Sequence, residues 1–281
     1  MKTRIIVDST ADLLPDYKYR VHTVPLTVHF GEEEYIDGVT IDHKTFYEKL
    51  IESDVLPATS QATPEAFTNE YEKAKAAGES AIAITISSKL SGTYQSAVIA
   101  AQEYDNIYVV DSGSAAVGSG ILTELALKLL DEGMDVKTVV EKLEKEKHKI
   151  VIVALVDTLE YLKKGGRISK TVAFAGGVLN IKPVLSVVDG EIRMLGKARG
   201  SKMGNNLLVQ EIEKAGGVDF DKPVLLGYTG ISDALLLKYI EDSRHIWEGN
   251  LEKVRYTTVG SVIGTHAGPG AVAVAFFKNN S

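Results

Sequence analysis

Residues 82–97 join an apolar strand, a hydroxyl-rich turn and a helix without interruption. The strand, Ile82–Ile86, is almost wholly apolar and rich in isoleucine, which is typical of a strand buried on both faces of a sheet. The turn at 87–93 follows it directly. The helix then places side chains at spacings of three, four and seven residues: Tyr94, Ala97, Val98 and Ala101. A buried strand that leads straight into a helix of this kind predicts a parallel α/β sheet.

The same alternation runs through the first half of the chain. Four apolar segments are predicted to be parallel strands: Arg4–Val7, Ala81–Ile86, Ile107–Val110 and Ile150–Val156. Helical patterns separate them, one beginning at Thr63-Pro64 with a capping hydroxyl and another beginning after Asp135. Val21–Phe30 indicates an extra strand or hairpin at the margin of the sheet.

After about residue 157 the pattern mixes hairpin and crossover signals. Ile181–Val188 and Glu191–Leu195 flank Asp189-Gly190, a strong hairpin signal. Further strands and helices are predicted at Lys202–Lys214, Val224–Tyr228, Ala234–Trp247, Val254–Val259 and Ala271–Phe277. Because 281 residues exceed one ordinary α/β domain, we predict two: residues 1–157 with a parallel sheet and residues 158–281 with a mixed sheet.

Composition excludes several classes of protein. The formal net charge of −7 argues against a non-specific nucleic-acid binder. The absence of cysteine rules out thiolate catalysis, disulfides and cysteine-ligated metals, and the histidines are too scattered to predict a zinc site. We expect no cofactor, no transmembrane segment and no signal peptide, and therefore a cytoplasmic location.

Hydroxyl-rich segments recur where strands end and helices begin. Unpaired N–H groups at the helix start beside Ser91, Gly92 and Thr93 suit a small anionic group. Similar segments occur at three other places: Asp8-Ser9-Thr10, Ala58-Thr59-Ser60-Gln61 and Asp111-Ser112-Gly113-Ser114. Each one alone is better explained as a helix cap or turn. Together they predict a shared pocket at the carboxyl ends of the strands, which binds an acid.

His266 stands in a glycine-rich segment, Gly264–Gly270. Glycine allows the backbone to approach a ligand closely, and histidine can donate a hydrogen bond to an acid, although an ordinary turn histidine fits equally well. Residues 268–273 match the G-x-G-x-x-A dinucleotide pattern. They lack both a strand directly before them and a βαβ unit after them, so a dinucleotide site is not predicted.

Five motifs in order resemble the DegV family: Ile6–Leu13, Thr59-Ser60-Gln61, Ser87–Tyr94, Gly165-Gly166-Arg167-Ile168-Ser169 and His266-Ala267-Gly268-Pro269-Gly270. The resemblance runs from residue 4 to about residue 277. It implies a protein that binds a long-chain fatty acid such as palmitate or oleate. It also implies a partner, an ATP-dependent fatty acid kinase, which phosphorylates the bound carboxylate to an acyl phosphate.

The resemblance also assigns residues. It implies that Thr59 and Ser91 hold the carboxylate, that His266 lies near it, and that Arg167 and Arg199 contact the kinase. The parallel domain would then carry the head-group site, and the second domain would cover the lipid tail. One departure is Gln61-Ala62-Thr63, where relatives commonly carry Gln-Pro-Ser. Val172–Leu179 is expected either in the tunnel wall or in ordinary core packing.

Two other functions remain open at this point. An esterase using Ser91 and His266 would be a small-molecule enzyme, although no acidic residue is evident that would orient the histidine. A regulatory protein–protein module would carry its ligand only incidentally. The resemblance favours a lipid-binding carrier without catalysis of its own.

Overall fold

A computed structural model describes residues 2–168 and 180–279 of the chain. Ser169 and the predicted wall segment Val172–Leu179 lie outside the described residues. The strands are β1 (Thr3–Asp8), β2 (His22–Val24), β3 (Thr27–Phe30), β4 (Glu33–Ile36), β5 (Ala58–Ser60), β6 (Ser80–Thr85), β7 (Ile107–Asp111), β8 (Ile150–Leu155), β9 (Ile181–Val188), β10 (Glu191–Arg199), β11 (Leu225–Tyr228), β12 (Arg255–Thr258) and β13 (Val272–Phe277).

The α-helices are α1 (Pro15–Lys18), α2 (His43–Glu52), α3 (Pro64–Ala76), α4 (Thr93–Ala101), α5 (Val117–Asp131), α6 (Val136–Glu146), α7 (Glu160–Lys164), α8 (Gly200–Lys214), α9 (Ala234–Asp242) and α10 (Ser261–Ala267). Short 3-10 turns lie at Lys147–Lys149, Arg244–Trp247 and Leu251–Lys253. The helix predicted over Ala234–Trp247 therefore ends at Asp242 and continues as a 3-10 turn. Within the two described stretches, no helix has the length and apolar character needed to cross a bilayer.

The first half of the chain forms the predicted parallel sheet. Its strand order is β2-β1-β6-β7, and all three pairs are parallel. Every residue of β6 is buried, as expected for a strand covered by helices on both faces. The caps also agree with the sequence: Thr63 Oγ1 accepts a hydrogen bond from Ala66 N at the start of α3, and Asp135 caps α6. The α/β fold class with one parallel and one mixed sheet is confirmed.

One of the four predicted parallel strands was assigned to the wrong sheet. β8 lies in the six-stranded mixed sheet, in the order β10-β9-β8-β13-β11-β12, and pairs antiparallel with both β13 and β9. A continuous apolar run reports burial on both faces and does not encode the direction of the partner strand. The division at residue 157 remains a prediction, and this pairing argues for placing it before Ile150.

Val21–Phe30 splits between two sheets. Its first part becomes β2, the edge strand of the parallel sheet, and its second part becomes β3. β3 forms a hairpin with β4 and pairs on its other side with β5, where Val28 lies opposite Thr59. This small three-stranded sheet therefore fixes the position of Thr59 through backbone hydrogen bonds.

Helix α5 joins the two halves of the molecule. It contacts β1 and β6 of the parallel sheet and β8, β11 and β13 of the mixed sheet. Twelve of its residues are buried, including the polar side chains of Ser119 and Thr123, because sheets cover it on both sides. The core around Ile121 and Leu122 consequently includes side chains from both sheets, such as Ile82 and Phe277.

Candidate functional site

A cavity lies between the two halves, with walls that come from both. It holds about 1010 Å³ of empty space, part of it open to solvent. Most of the wall is apolar: Ile86, Leu90, Ala115, Ala116, Ile152, Ala154, Val156, Leu185, Ile192, Val262, Ile263, Ala271 and Ala273. Such a wall favours an apolar ligand.

Hydrogen-bonding side chains are few in this wall, and several of them come from the predicted site. Thr59, Ser60, Ser91 and His266 all line the cavity. Thr59 and His266, 207 residues apart in the chain, thus contribute to one pocket. The segments Asp8-Ser9-Thr10 and Asp111-Ser112-Gly113-Ser114, which were predicted to share it, do not line it. A ligand with an apolar body and one polar end matches this distribution.

The side chains of Thr59 and His266 are hydrogen-bonded to each other. Thr59 Oγ1 lies 2.9 Å from His266 Nε2, across a gap of 207 residues in the chain. Thr59 is held in β5, and His266 lies in the last turn of α10, which ends where Gly268 adopts a φ of 71°. That positive φ is a conformation that glycine adopts easily, and it turns the chain away after the histidine.

Burial controls the charge of His266. Burial, together with the smaller effect of the positive charge of Arg167, lowers the pKa of the imidazole to about 4. The ring is therefore neutral at pH 7. Its Nδ1 is buried and has no hydrogen-bond partner among the described residues.

The unpaired nitrogen favours one tautomer of His266. With the proton on Nε2, the ring donates to Thr59 Oγ1, and Nδ1 is only an unused lone pair. With the proton on Nδ1, a buried N–H would lack an acceptor, which is the rarer and costlier arrangement. In the favoured tautomer the Thr59 hydroxyl is free to donate its own proton into the cavity.

Ser91 lies in the turn that the sequence predicted to bind an anion. Its Oγ is 2.9 Å from Thr93 Oγ1 and accepts a hydrogen bond from Thr93 N at 3.3 Å. Thr93 is buried, does not line the cavity and accepts from Ala62 N, so its role here is to hold the turn. Ser91 is the hydroxyl residue of this turn that lines the cavity.

Gly92 and Ser60 have structural contacts that the sequence did not reveal. A Cβ at Gly92 would lie 2.1 Å from Gln61 Oε1, so a larger residue there would force the Gln61 side chain to move. The Ser60 hydroxyl lies 2.8 Å from His29 Nε2. Ligand binding by Gly92, Thr93 and Ser60 remains a prediction, and their described contacts are with the protein itself.

The two arginines expected to contact a kinase lie in different environments. Arg167 is half-buried and lines the cavity, where its Nε donates to Leu90 O at 3.2 Å and Nη1 donates to Gly165 O at 2.6 Å. Arg199 is exposed at the end of β10, directly before α8. Contact with a kinase remains a prediction for both, and Arg167 also places a positive charge at the polar end of the cavity.

The geometry does not pair Ser91 with His266 as a nucleophile and its base. His266 is bonded to Thr59 and Ser91 to Thr93, and no hydrogen bond joins Ser91 to His266 within the described residues. The Nδ1 position, where a hydrolase triad holds a carboxylate, has no partner in the same part of the chain. Nor does any group of three or more His, Asp or Glu side chains within the described ranges lie close enough to hold a metal ion.

Sequence reasoning expected the second domain to cover the lipid tail but did not identify the strand residues of the mixed sheet that line the cavity. Small residues interrupt its otherwise bulky strands at Ala154 in β8 and Ala273 in β13, and both line the cavity. The available signal was alanine where neighbouring positions carry valine, isoleucine or phenylalanine. Nothing in the sequence around Arg167 predicted that this residue lines the cavity.

Comparison with known proteins gives a consistent picture. The family model described as "Uncharacterised protein, DegV family" matches residues 2–279. A DegV domain-containing protein of Caldanaerobacter subterraneus is 35% identical, with 98% of each chain covered.

Solved structures agree over the same length. A DegV family protein from Thermus thermophilus, whose structure is described under fatty acid binding, superposes with a TM-score of 0.86 at 32% identity and covers 99% of this chain and 100% of its own. A stearic acid-binding protein from Eubacterium ventriosum gives a TM-score of 0.86 at 28% identity, with 99% and 98% covered. Fatty acid binding is thus found among proteins of this fold and sequence group. With a match along almost its entire length, the chain belongs to the DegV family.

Proposed function

We propose that this chain binds a long-chain fatty acid, such as palmitate or oleate, in the cavity between its two halves. The observation that carries the proposal is the cavity itself, which has an apolar wall and includes Thr59, Ser91, His266 and Arg167. These polar residues lie together, because Thr59 is hydrogen-bonded to His266 and Arg167 to the carbonyl of Leu90, next to Ser91. The relatives from Thermus thermophilus and Eubacterium ventriosum support it, since their descriptions name fatty acid binding and stearic acid.

The tail supplies most of the affinity in this proposal. Burial of apolar surface contributes about 0.8 kcal/mol per CH₂ group, so a sixteen-carbon chain gains about ten kcal/mol before ordering costs. The head group contributes less, because each hydrogen bond to a charged partner is worth about 1.5–3 kcal/mol. The head-group contacts determine the direction in which the acid lies in the cavity and which head groups the site accepts.

The carboxylate would be held by hydroxyl donors beside one positive charge. The hydroxyl groups of Thr59 and Ser91 can donate hydrogen bonds to the carboxylate. The positive charge of the Arg167 guanidinium lowers the free-energy cost of bringing this anion into a half-buried site. A carboxylate placed there would also favour protonation of His266, because an opposite charge nearby raises the pKa of a histidine. Binding would then be coupled to proton uptake at acidic pH.

The second part of the proposal concerns a partner. The family resemblance of the five motifs supports a carrier that presents the carboxylate to an ATP-dependent fatty acid kinase, which makes an acyl phosphate for phospholipid metabolism. The exposed Arg199 supports a docking role, because its side chain is available on the surface. The chain itself would not be an enzyme and would need no cofactor. Since the kinase uses ATP, the proposal places both proteins in the cytoplasm.

The test begins with protein purified without detergent or added lipid. Extraction and mass spectrometry should find a co-purified long-chain acid, and delipidated protein should rebind palmitate. A chain that carries no acid and rejects both palmitate and oleate would refute the proposal. The esterase alternative is tested in the same preparation: turnover of a p-nitrophenyl ester that disappears in Ser91→Ala would establish it instead.

A further inference from the structure

The segment between β12 and α10 is held by three side chains from the first fifty residues. Tyr47 Oη donates to Val259 O at 2.9 Å. Gly260 N donates to Asp12 Oδ1 at 2.8 Å, and Ser261 N donates to Asp37 Oδ1 at 3.3 Å. Two carboxyl groups thus accept from the first two N–H groups at the start of α10, which have no partner within a helix.

Helix α10 is short and leads directly to the head-group site. It spans seven residues, begins at Ser261 and carries His266 in its last turn. It packs on α2 so closely that a Cβ at Gly264 would lie 2.5 Å from Tyr47 Oη and 2.7 Å from Phe46 Cε1. Since His266 is only five positions after Ser261 in the same helix, the contacts that hold Gly260 and Ser261 also influence where the imidazole lies.

Asp12 is unusual among carboxyl groups at helix starts because it is deeply buried. It is 3% exposed, and its Oδ2 is buried without a hydrogen-bond partner in the described part of the chain. Burial is the main cause that raises its pKa to about 8, with Asp37 and Asp8 raising it and Gly260 N and Lys18 lowering it. Its Oδ1 accepts from Gly260 N at 2.8 Å, a hydrogen bond that either protonation state of the carboxyl group can make.

We propose that Asp12 and Asp37 are positioning residues for the head-group site, which fix the start of α10 and thereby the place of His266 beside Thr59. The inference rests on the proposed fatty acid site for its functional meaning. The structural part of the inference, that two carboxyl groups fix the position of the imidazole, does not depend on fatty acid binding. The Asp-Ser-Thr-Ala-Asp motif near the N-terminus then gains a role that its position outside the cavity did not suggest.

The substitution Asp12→Asn tests whether Asp12 acts through its hydrogen-bond acceptor or through a charge. Asparagine keeps an Oδ1 acceptor and, like the protonated acid, is neutral. Asp12→Ala removes the acceptor and leaves Gly260 N unpaired. Asp135→Ala is the control, because Asp135 caps α6 through Lys137 N and Thr138 N at an exposed position that does not line the cavity.

The experiment measures two properties of the full chain for each variant. The first is the NMR signal and titration of the His266 imidazole in protein without lipid, assigned with His266→Gln. The second is palmitate affinity, corrected for the folded fraction at each temperature. Asp12→Ala should displace the His266 signal and weaken palmitate binding about tenfold. Asp12→Asn and Asp135→Ala should stay within about threefold of the wild type.

Each other outcome has a definite meaning. A wild-type signal and affinity in Asp12→Ala would overturn the proposal, and so would an Asp12→Asn variant that loses as much as Asp12→Ala. If Asp12→Ala does not fold, Asp37→Ala carries the test, and an unchanged His266 signal there overturns the proposal. If the wild type rejects palmitate while Asp12→Ala still displaces the His266 signal, the proposed function fails and the positioning role stands.

Discussion

Thr59→Val tests the head-group site with the least disturbance to shape. Valine has nearly the same outline as threonine, so the substitution removes a hydroxyl without opening a hole in β5. The lost contact is the 2.9 Å hydrogen bond between Thr59 Oγ1 and His266 Nε2. His266 then has no partner at either nitrogen among the described residues, because its Nδ1 already lacks one.

The size of the effect follows from these contacts. An unpaired polar group in a buried site costs about 1–3 kcal/mol, so the free energy of unfolding should fall by that amount in protein without lipid. Loss of a donor to the carboxylate costs about 1.5–3 kcal/mol of binding free energy, or about 10- to 150-fold in Kd. Binding should persist, because about ten kcal/mol comes from the tail.

The assay compares palmitate with its methyl ester by displacement of a fluorescent fatty acid. The ester keeps the tail and lacks the charge, so the wild type should prefer the acid. Thr59→Val should reduce that preference and leave the affinity for the ester nearly unchanged. The control is Thr123→Val, which deletes a buried hydroxyl bonded to Ser119 O in α5, outside the cavity wall.

Two results would refute this reasoning. An unchanged preference for the acid in Thr59→Val would mean that the carboxylate lies elsewhere. Complete loss of binding to both ligands in a folded variant would mean that the tail does not dominate affinity. If Thr123→Val weakened palmitate as much as Thr59→Val does, general destabilisation would explain both.

Three further predictions concern the same cavity. Burial holds the pKa of His266 at about 4 in the folded chain, below its usual 6.5, so between these pH values the unfolded chain binds one more proton than the folded chain. The free energy of unfolding of lipid-free protein should therefore fall as the pH drops from about 6.5 to 4, by up to ~1.4 kcal/mol per pH unit. Urea titrations should show a smaller pH dependence in His266→Gln than in the wild type. Arg167→Gln should raise the pKa of His266, measured by NMR, and should weaken palmitate binding. Ala273→Leu should shift preference toward shorter acids such as laurate, at about 0.8 kcal/mol for each methylene excluded from the cavity.

Local signals in the sequence were sufficient for much of the fold. Thr63 and Asp135 cap the helices they were expected to cap, because a capping side chain needs only the next three residues to act. The Asp189-Gly190 hairpin forms for the same reason, with Asp189 at a φ of 52° and Gly190 at 79°. The direction of β8 was not predictable in this way, since it depends on partners more than one hundred residues away in β13.

The candidate site was predictable in outline and not in detail. Hydroxyls at strand ends look alike in sequence, whether they face a ligand or hold a turn. Ser87 Oγ donates to Gly190 O and Ser112 Oγ bonds to Ser119 Oγ, so both are used within the protein. Thr59 and Ser91 differ from them only in their placement at the cavity wall, which depends on how the two halves meet.

The cavity itself argues for a ligand more strongly than any one side chain does. Ala154 and Ala273 leave space in the centre of the mixed sheet, and empty apolar space lowers stability because its wall loses packing contacts. A chain that only needed a core would gain stability from larger residues at these positions. A ligand that fills the space restores the contacts and stabilises the folded state in proportion to its affinity. Alanine at these two positions therefore makes physical sense if an apolar molecule occupies the cavity, and the polar end at Thr59 and His266 sets the direction in which it lies.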